Sequence, residues 1–231
     1  MDEPQLPDGV LRAEYDKLRR RQQRNERAQF AHGLMQGILS MLRPGDVVFD
    51  CGANIGDVTV PLAETGATVH AFEPDPHAFA RLSERVAGRD NVILHDAAVG
   101  VSSGRIRLMR AVNFDVNPEG GSVKSTVVSG GRKINEEAGA AIDVALIALP
   151  DLIRAEAAKA GGEIAFLKMD IEGAERDLLE HMQAEGLFDL VRLTVAETHE
   201  NKFKDLRARF AALREAVAAE RPVTRVNLDW I

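Results

Sequence analysis

Short apolar runs at residues 47–50, 68–72, 92–95, 165–170 and 190–197 alternate with segments of helical periodicity at 57–65, 76–87, 149–159 and 174–185. Runs that are apolar throughout belong to strands covered on both faces, so the pattern predicts an α/β fold: a mostly parallel sheet with helices on both sides. Pro61, inside the first helical segment, is compatible with a helix beginning near Asp57 that keeps the proline in or just after its first turn. Beyond the fifth run, Leu206, Phe210, Leu213 and Val217 make a helical stripe, and residues 223–228 read as a final strand.

Residues 10–42 read as an interrupted helix. Met35, Ile38, Leu39 and Leu42 fall at i, i+3, i+4 and i+7, and Pro44-Gly45 ends the stripe. Leu11, Tyr15 and Leu18 form a shorter stripe beside the cations Lys17, Arg19, Arg20, Arg21, Arg24 and Arg27. Glu14, Asp16 and Glu26 lie among them, so a solvated helix face is the simpler reading and an anion or RNA contact the other. Residues 1–44 are expected to pack on the core or to serve a homodimer interface, and residues 45–231 to form the catalytic domain.

Residues 100–144 break the alternation. A strand is predicted at 105–109, but Glu119-Gly120-Gly121-Ser122 and Ser129-Gly130-Gly131 have no helical period. An irregular insertion of this length is usually functional, and it is predicted to bind the acceptor substrate and to be mobile at its glycine pairs.

The 231 residues, 45% hydrophobic, suffice for one large core. A formal net charge of -7 argues against nucleic acid as a partner of the molecule as a whole. The single cysteine, Cys51, excludes an intramolecular disulfide, and its place at a strand end suggests packing rather than reactivity. Residues 1–4 lack a basic segment followed by an apolar one, and the apolar-leaning stretch 33–42 is far short of the ~20 residues of a membrane span. A cytoplasmic protein is expected.

The chemistry concentrates at Asp50-Cys51-Gly52-Ala53-Asn54-Ile55-Gly56. A strand ending in an acid, a glycine turn and a helix describe half of a nucleotide-binding βαβ unit. Gly52 and Gly56 let the backbone turn sharply, and Asn54 is one of the few other residues that enters left-handed conformation readily. Glu73 follows Gly52 by 21 residues, the spacing at which an acid ending the second strand accepts ribose hydroxyls. The Gly-x-x-x-Gly turn lacks the pyrophosphate fingerprint, and Asp50 would repel a pyrophosphate while attracting an ammonium or sulfonium group. S-adenosylmethionine therefore suits the turn better than a nicotinamide dinucleotide. At the ends of the fourth and fifth runs, Asp170 and Glu172, then Glu197 and His199, should converge near the cofactor. His199 is the candidate base, with Asp170, Glu172 and Glu197 orienting it; alternatively the same three acids could hold Mg²⁺.

These residues also resemble a family. Asp50-x-Gly52-Ala53-Asn54-x-Gly56, Ala71-Phe72-Glu73-Pro74-x-Pro76, Ala97-Ala98-Val99-Gly100 and the run from Phe166 through Asp170-Ile171-Glu172-Gly173-Ala174 to Glu175 are together similar to FkbM-type S-adenosylmethionine-dependent methyltransferases. The resemblance implies a class I methyltransferase (Rossmann-like) fold with strand order 3-2-1-4-5-7-6. It further implies methyl transfer to a hydroxyl of a sugar, polyketide or other small metabolite. It would place Asp50, Gly52, Ala53, Asn54 and Gly56 around the methionine moiety, Glu73 and Pro74 at the ribose, and Asp96 and Ala97 at the adenine edge, with Asp170 also near the cofactor. The run Ala148-Leu149-Pro150-Asp151-Leu152 departs from the family's Thr-Leu-Asp-Asp-Leu-like pattern. An NAD-dependent oxidoreductase and a non-catalytic binding module are the competing readings.

Overall fold

The structure, a computed structural model, describes residues 9–122, 125–130, 134, 135, 137, 141–200, 203 and 207–230. These fall into two units: helix α1 (Gly9–Met41), and residues 42–230. α1 is continuous where an interruption was predicted. The apolar stripe does lapse over residues 19–29, but that stretch is Arg, Gln, Glu and Ala with one Asn and no Gly or Pro, and propensity alone favours helix there. Tyr15 and Leu18 are exposed. Among the described residues no helix is long and apolar enough to cross a membrane.

In chain order the second unit contains β1 (Val47–Cys51), α2 (Thr59–Glu64), β2 (Thr68–Phe72), α3 (Pro76–Arg85), β3 (Val92–His95), β4 (Ala97–Gly100), β5 (Gly104–Leu108) and α4 (Pro118–Ser122). It continues with β6 (Ile142–Ala148), α5 (Leu149–Lys159), β7 (Phe166–Met169), α6 (Glu175–Ala184), β8 (Thr194–Ala196), α7 (Arg207–Glu220) and β9 (Val226–Asn227). Six strands form one sheet in the order β3-β2-β1-β7-β8-β9, every neighbouring pair parallel. The chain winds outward from β1 to β3 and re-enters beside β1 with β7, and this reversal opens the crevice in which α/β proteins bind ligands. Phe49, Phe72, Leu149, Ile153, Leu167, Met169, Leu178 and Phe188 fill the core on one side of the sheet.

The implied strand order is met only from the first edge through β8. β9 pairs directly and in parallel with β8, and no antiparallel strand separates them among the described residues. The predicted strand at 190–197 shrinks to Thr194–Ala196: Leu190 ends a 3-10 turn, Leu187–Leu190, that follows Gly186 at φ +65, and Val191 makes only an isolated bridge to Ile164. A continuous apolar run does not distinguish a buried strand from a buried helical turn. The segment 100–144 is less irregular than expected. β5 and β6 pair antiparallel, β4 joins β6 in parallel, and Ala98, Leu108 and Val144 give this small sheet its own core. Gly120 and Gly121 lie in α4, whereas Gly131 and Leu206 fall outside the described residues. Pro61 does sit in the first turn of its helix, which starts at Thr59.

Candidate active site

Parallel pairing sets Asp50 of β1 directly beside Lys168 of β7. Both side chains are buried, and the Lys168 ammonium lies 3.3 Å from Asp50 Oδ1 and 3.7 Å from Asp170 Oδ2. Lys168 also donates to the Gly52 carbonyl at 2.8 Å, while Thr59 Oγ1 donates to Asp50 Oδ2 at 2.7 Å. Burial works against the ammonium, but Asp50 and Asp170 outweigh it and hold its pKa above the ordinary lysine value. This buried charge network anchors the turn between β1 and α2. Cys51 beside it is buried, and burial together with the Asp50 charge pushes its thiol up, away from reactivity.

In the turn, Gly52 has φ +78 and Asn54 φ +47. A Cβ on Gly52 would overlap the carbonyl oxygen of Asp170, so the end of β7 closes against a glycine of necessity. The Gly52 and Ala53 amides both donate to the Phe72 carbonyl, at 3.0 and 2.9 Å. Glu73, one residue further along, accepts from the Asn54 amide and from the Asp75 amide, each at 2.8 Å. Burial nevertheless pushes its carboxyl up to about 7. Asn54 Oδ1 is buried without a hydrogen-bond partner among the described residues.

A cavity opens at the carboxyl ends of β1, β2 and β7. Of the predicted residues, Gly52, Asn54, Glu73, Pro74, Ala97, Asp170 and Glu172 line it. Asp50, Ala53 and Gly56 are buried and are not part of that lining, and Asp96 is exposed outside it. The Asp50 carboxylate is turned to Thr59 and Lys168, so its charge reaches the turn through them.

Glu197 and His199 stand behind the cavity wall. His199 Nε2 lies 3.4 Å from Glu172 Oε2, 3.8 Å from Asp170 Oδ1 and 3.9 Å from Glu197 Oε1. Its Nδ1 is 3.0 Å from Oε1 of Glu175, a buried acid in the first turn of α6. Burial favours neutral imidazole, but the Glu175 hydrogen bond and the charges of Glu175, Asp170 and Glu197 prevail and push His199 up to about 9. The sequence suggested a base titrating near ~6.5; its acidic surroundings favour the imidazolium at neutral pH instead. Burial and the Asp170 charge also raise the Glu197 carboxyl.

Glu175 does more than face His199. It accepts from the Ile171 amide at 2.8 Å and from the Gly173 amide at 2.9 Å, fixing a loop in which Glu172 has φ +57 and Gly173 φ +113. A carboxylate with its oxygens engaged in this way, beside a protonated imidazole, leaves little for a hard cation. The ligand atoms of Asp170, Glu175 and His199 do lie within 4.8 Å of one another, a set different from the predicted Asp170, Glu172 and Glu197. Sequence reasoning missed both Lys168 and Glu175. A lone lysine in the apolar run 166–169 was the available signal for the first, since a buried ammonium needs an acid on a neighbouring strand.

A parallel sheet with its reversal beside β1, a glycine turn and an acid closing the second strand give a Rossmann-like α/β fold, and the family match assigns it to the S-adenosylmethionine-dependent methyltransferases of class I fold. Residues 50–219 match the family described as the methyltransferase FkbM domain, and the chain belongs to the FkbM methyltransferase family. It is 33% identical over 183 residues to the 31-O-demethyl-FK506 methyltransferase FkbM of Streptomyces tacrolimicus, covering 69% of this chain and 67% of that protein. It is also 32% identical over 93 residues to ribosomal RNA small subunit methyltransferase H of Novosphingobium aromaticivorans, covering 36% of this chain and 28% of the other. Among solved structures it is similar to methyltransferase FkbM of Methylobacillus flagellatus KT, with 20% identity, a TM-score of 0.36, and coverage of 63% of this chain and 31% of that one.

Proposed function

We propose that this chain methylates a hydroxyl group of a sugar, polyketide or other small metabolite. The observation that carries the reading is the convergence of Glu73, Asn54, Asp170 and Glu172 on one cavity at the sheet's reversal. These acceptors suit a ligand bearing ribose hydroxyls at one end and a cationic amino acid at the other. The Streptomyces relative is named as the methyltransferase of an O-demethyl compound, which favours oxygen as the atom methylated. S-adenosylmethionine, when bound, supplies a methyl group on a positively charged sulfur. Glu73 would accept the ribose hydroxyls, and Asn54 and Asp170 would face the methionine end.

Calorimetry with S-adenosylhomocysteine tests the cofactor half. Measured well above pH 7, where the raised Glu73 carboxyl is ionised, Glu73→Gln keeps the shape but removes the charge, and it should weaken binding by about 1.5–3 kcal/mol, the worth of charge-assisted hydrogen bonds. Unchanged affinity would overturn the assignment.

A hydroxyl is a poor nucleophile until it loses its proton, and His199 is the proposed final acceptor of that proton, relayed through Asp170 or Glu172, which line the cavity in front of it. With its pKa at about 9, only about 1% of His199 is neutral at pH 7, so turnover should rise roughly tenfold per pH unit toward pH 9. A second reading follows from the cavity lining: Asp170 takes the proton and the imidazolium merely orders the acids. Turnover would then fall as pH rises through 9. In both cases chelators should leave turnover unchanged, and loss restored by Mg²⁺ would revive the metal alternative.

The same shift bears on stability. A histidine raised from the unfolded value near ~6.5 stabilises the fold fully below that pH and loses its contribution as pH rises through 9. The difference is on the order of 3 kcal/mol. Urea unfolding at pH 6 and pH 10 should show this loss in the native chain and little of it in His199→Gln.

A further inference from the structure

Asp75 is fully buried at the start of α3, where it caps the helix through the His77 amide at 2.9 Å. A cap needs one carboxylate oxygen, yet this one has three further donors. Arg110 reaches it with both arms of its guanidinium, Nε to Oδ2 at 2.9 Å and Nη2 to Oδ1 at 3.2 Å, and Ser125 Oγ adds a bond to Oδ2 at 3.1 Å. Arg110 in turn stacks over the Phe114 ring, 4.0 Å from its centre. Arg110 and Ser125 belong to the segment between β5 and β6, where Met109 and Thr126 exchange both backbone hydrogen bonds, at 2.8 and 2.9 Å. The next side chain along, Thr126, donates to the Glu172 carbonyl at 2.7 Å. Ser125, Thr126 and Leu108 line the cavity with Glu73 and Glu172.

These bonds form one connected path. Glu73 accepts from the Asp75 amide, Asp75 holds Arg110 and Ser125, and Thr126 holds the loop bearing Glu172. We infer that Asp75, Arg110, Ser125 and Thr126 are positioning residues: a latch that fixes the acceptor-side wall of the cavity against the cofactor acid Glu73 on one flank and the Glu172 loop on the other. The inference rests on the proposed cofactor site and adds to it. A forked arginine on a buried carboxylate sets orientation as well as distance, which suits a wall that must sit within a fraction of an ångström of a reacting group. Because the path starts at Glu73, cofactor occupancy and closure of this wall should be coupled, and coupling of two binding events is reciprocal.

Hydrogen exchange of the full chain, with and without S-adenosylhomocysteine, reads this directly. The ligand should slow exchange at the paired amides of Met109 and Thr126 by on the order of tenfold, although neither amide belongs to the glycine turn. Ser125→Ala and Arg110→Lys, which keep the fold's charge balance, should lose most of that slowing. Their affinity for S-adenosylhomocysteine should fall by the factor lost, which a merely structural role would not match. Thr126→Ser, retaining the hydroxyl, should behave as the native chain, and Thr126→Val should not. If the native chain binds the ligand and the two amides exchange as before, or if the slowing survives in Ser125→Ala, the latch is refuted while the cofactor site stands. If the native chain does not bind the ligand, the cofactor site and the latch fall together.

Discussion

Lys168→Met should lower the unfolding free energy by about 3–5 kcal/mol, the cost of breaking a buried ion pair by removing one partner. The reasons are local. Asp50 is wholly buried, and without Lys168 its Oδ1 keeps a charge in the core with no cation beside it. The Gly52 carbonyl loses its 2.8 Å donor at the same time, so the glycine turn loosens together with the strand pair. For a chain of this size the loss corresponds to a fall in melting temperature of roughly 6–20 °C. Asp50→Leu with Lys168→Met, which removes both charges, should recover a good part of it, because the penalty comes from the charge left alone and not from a missing attraction. Urea unfolding of the single and double variants decides this. A single variant as stable as the native chain would mean that the ion pair contributes nothing net to the fold, and the network would lose its proposed role.

What was legible in the sequence is what local spacing encodes. The turn and Glu73 were readable because strand, turn and following strand lie within about 25 contiguous residues, and the helix beginning at residue 76 was readable from its periodicity. The state of His199 was not. Its ordinary pKa made it look like a base, but the groups that raise it come from the end of β7, the first turn of α6 and the far end of β8. Only the sheet order brings those together. Asp50 was read as a partner of the cofactor's charge on the same local logic. Its actual neighbour, Lys168, is 118 residues away and enters through strand register. Of the small sheet, β5 was readable as the strand predicted at 105–109, whereas β4 and β6 escaped: β4 is a four-residue run directly behind β3, and β6 has no clean alternation of buried and exposed positions.

Gly52→Ala should abolish measurable cofactor binding. Two effects add at this residue. An alanine held at φ +78 costs about 1–2 kcal/mol, since the Cβ crowds its own backbone. The same Cβ would occupy the place of the Asp170 carbonyl oxygen, and that oxygen belongs to backbone, so no side-chain rotation relieves the overlap. Overpacking of this kind costs a further ~1–3 kcal/mol. The strain has one way out. The Asp170 amide is bonded to the Cys51 carbonyl at 3.0 Å, so the end of β7 must draw away from β1, carrying Asp170 and the Glu172 loop off the cavity wall. Stability should therefore fall by about 2–5 kcal/mol, and affinity for S-adenosylhomocysteine should fall well beyond the effect of Glu73→Gln, because several contacts move together. Gly104→Ala is the matched control: its φ is ordinary, a Cβ there meets nothing within 4 Å, and both stability and affinity should be unchanged. Calorimetry and melting curves on the two variants separate a local clash from a general intolerance of alanine. Should Gly52→Ala fold and bind as the native chain does, the close approach of β7 to the turn would not be what shapes the site.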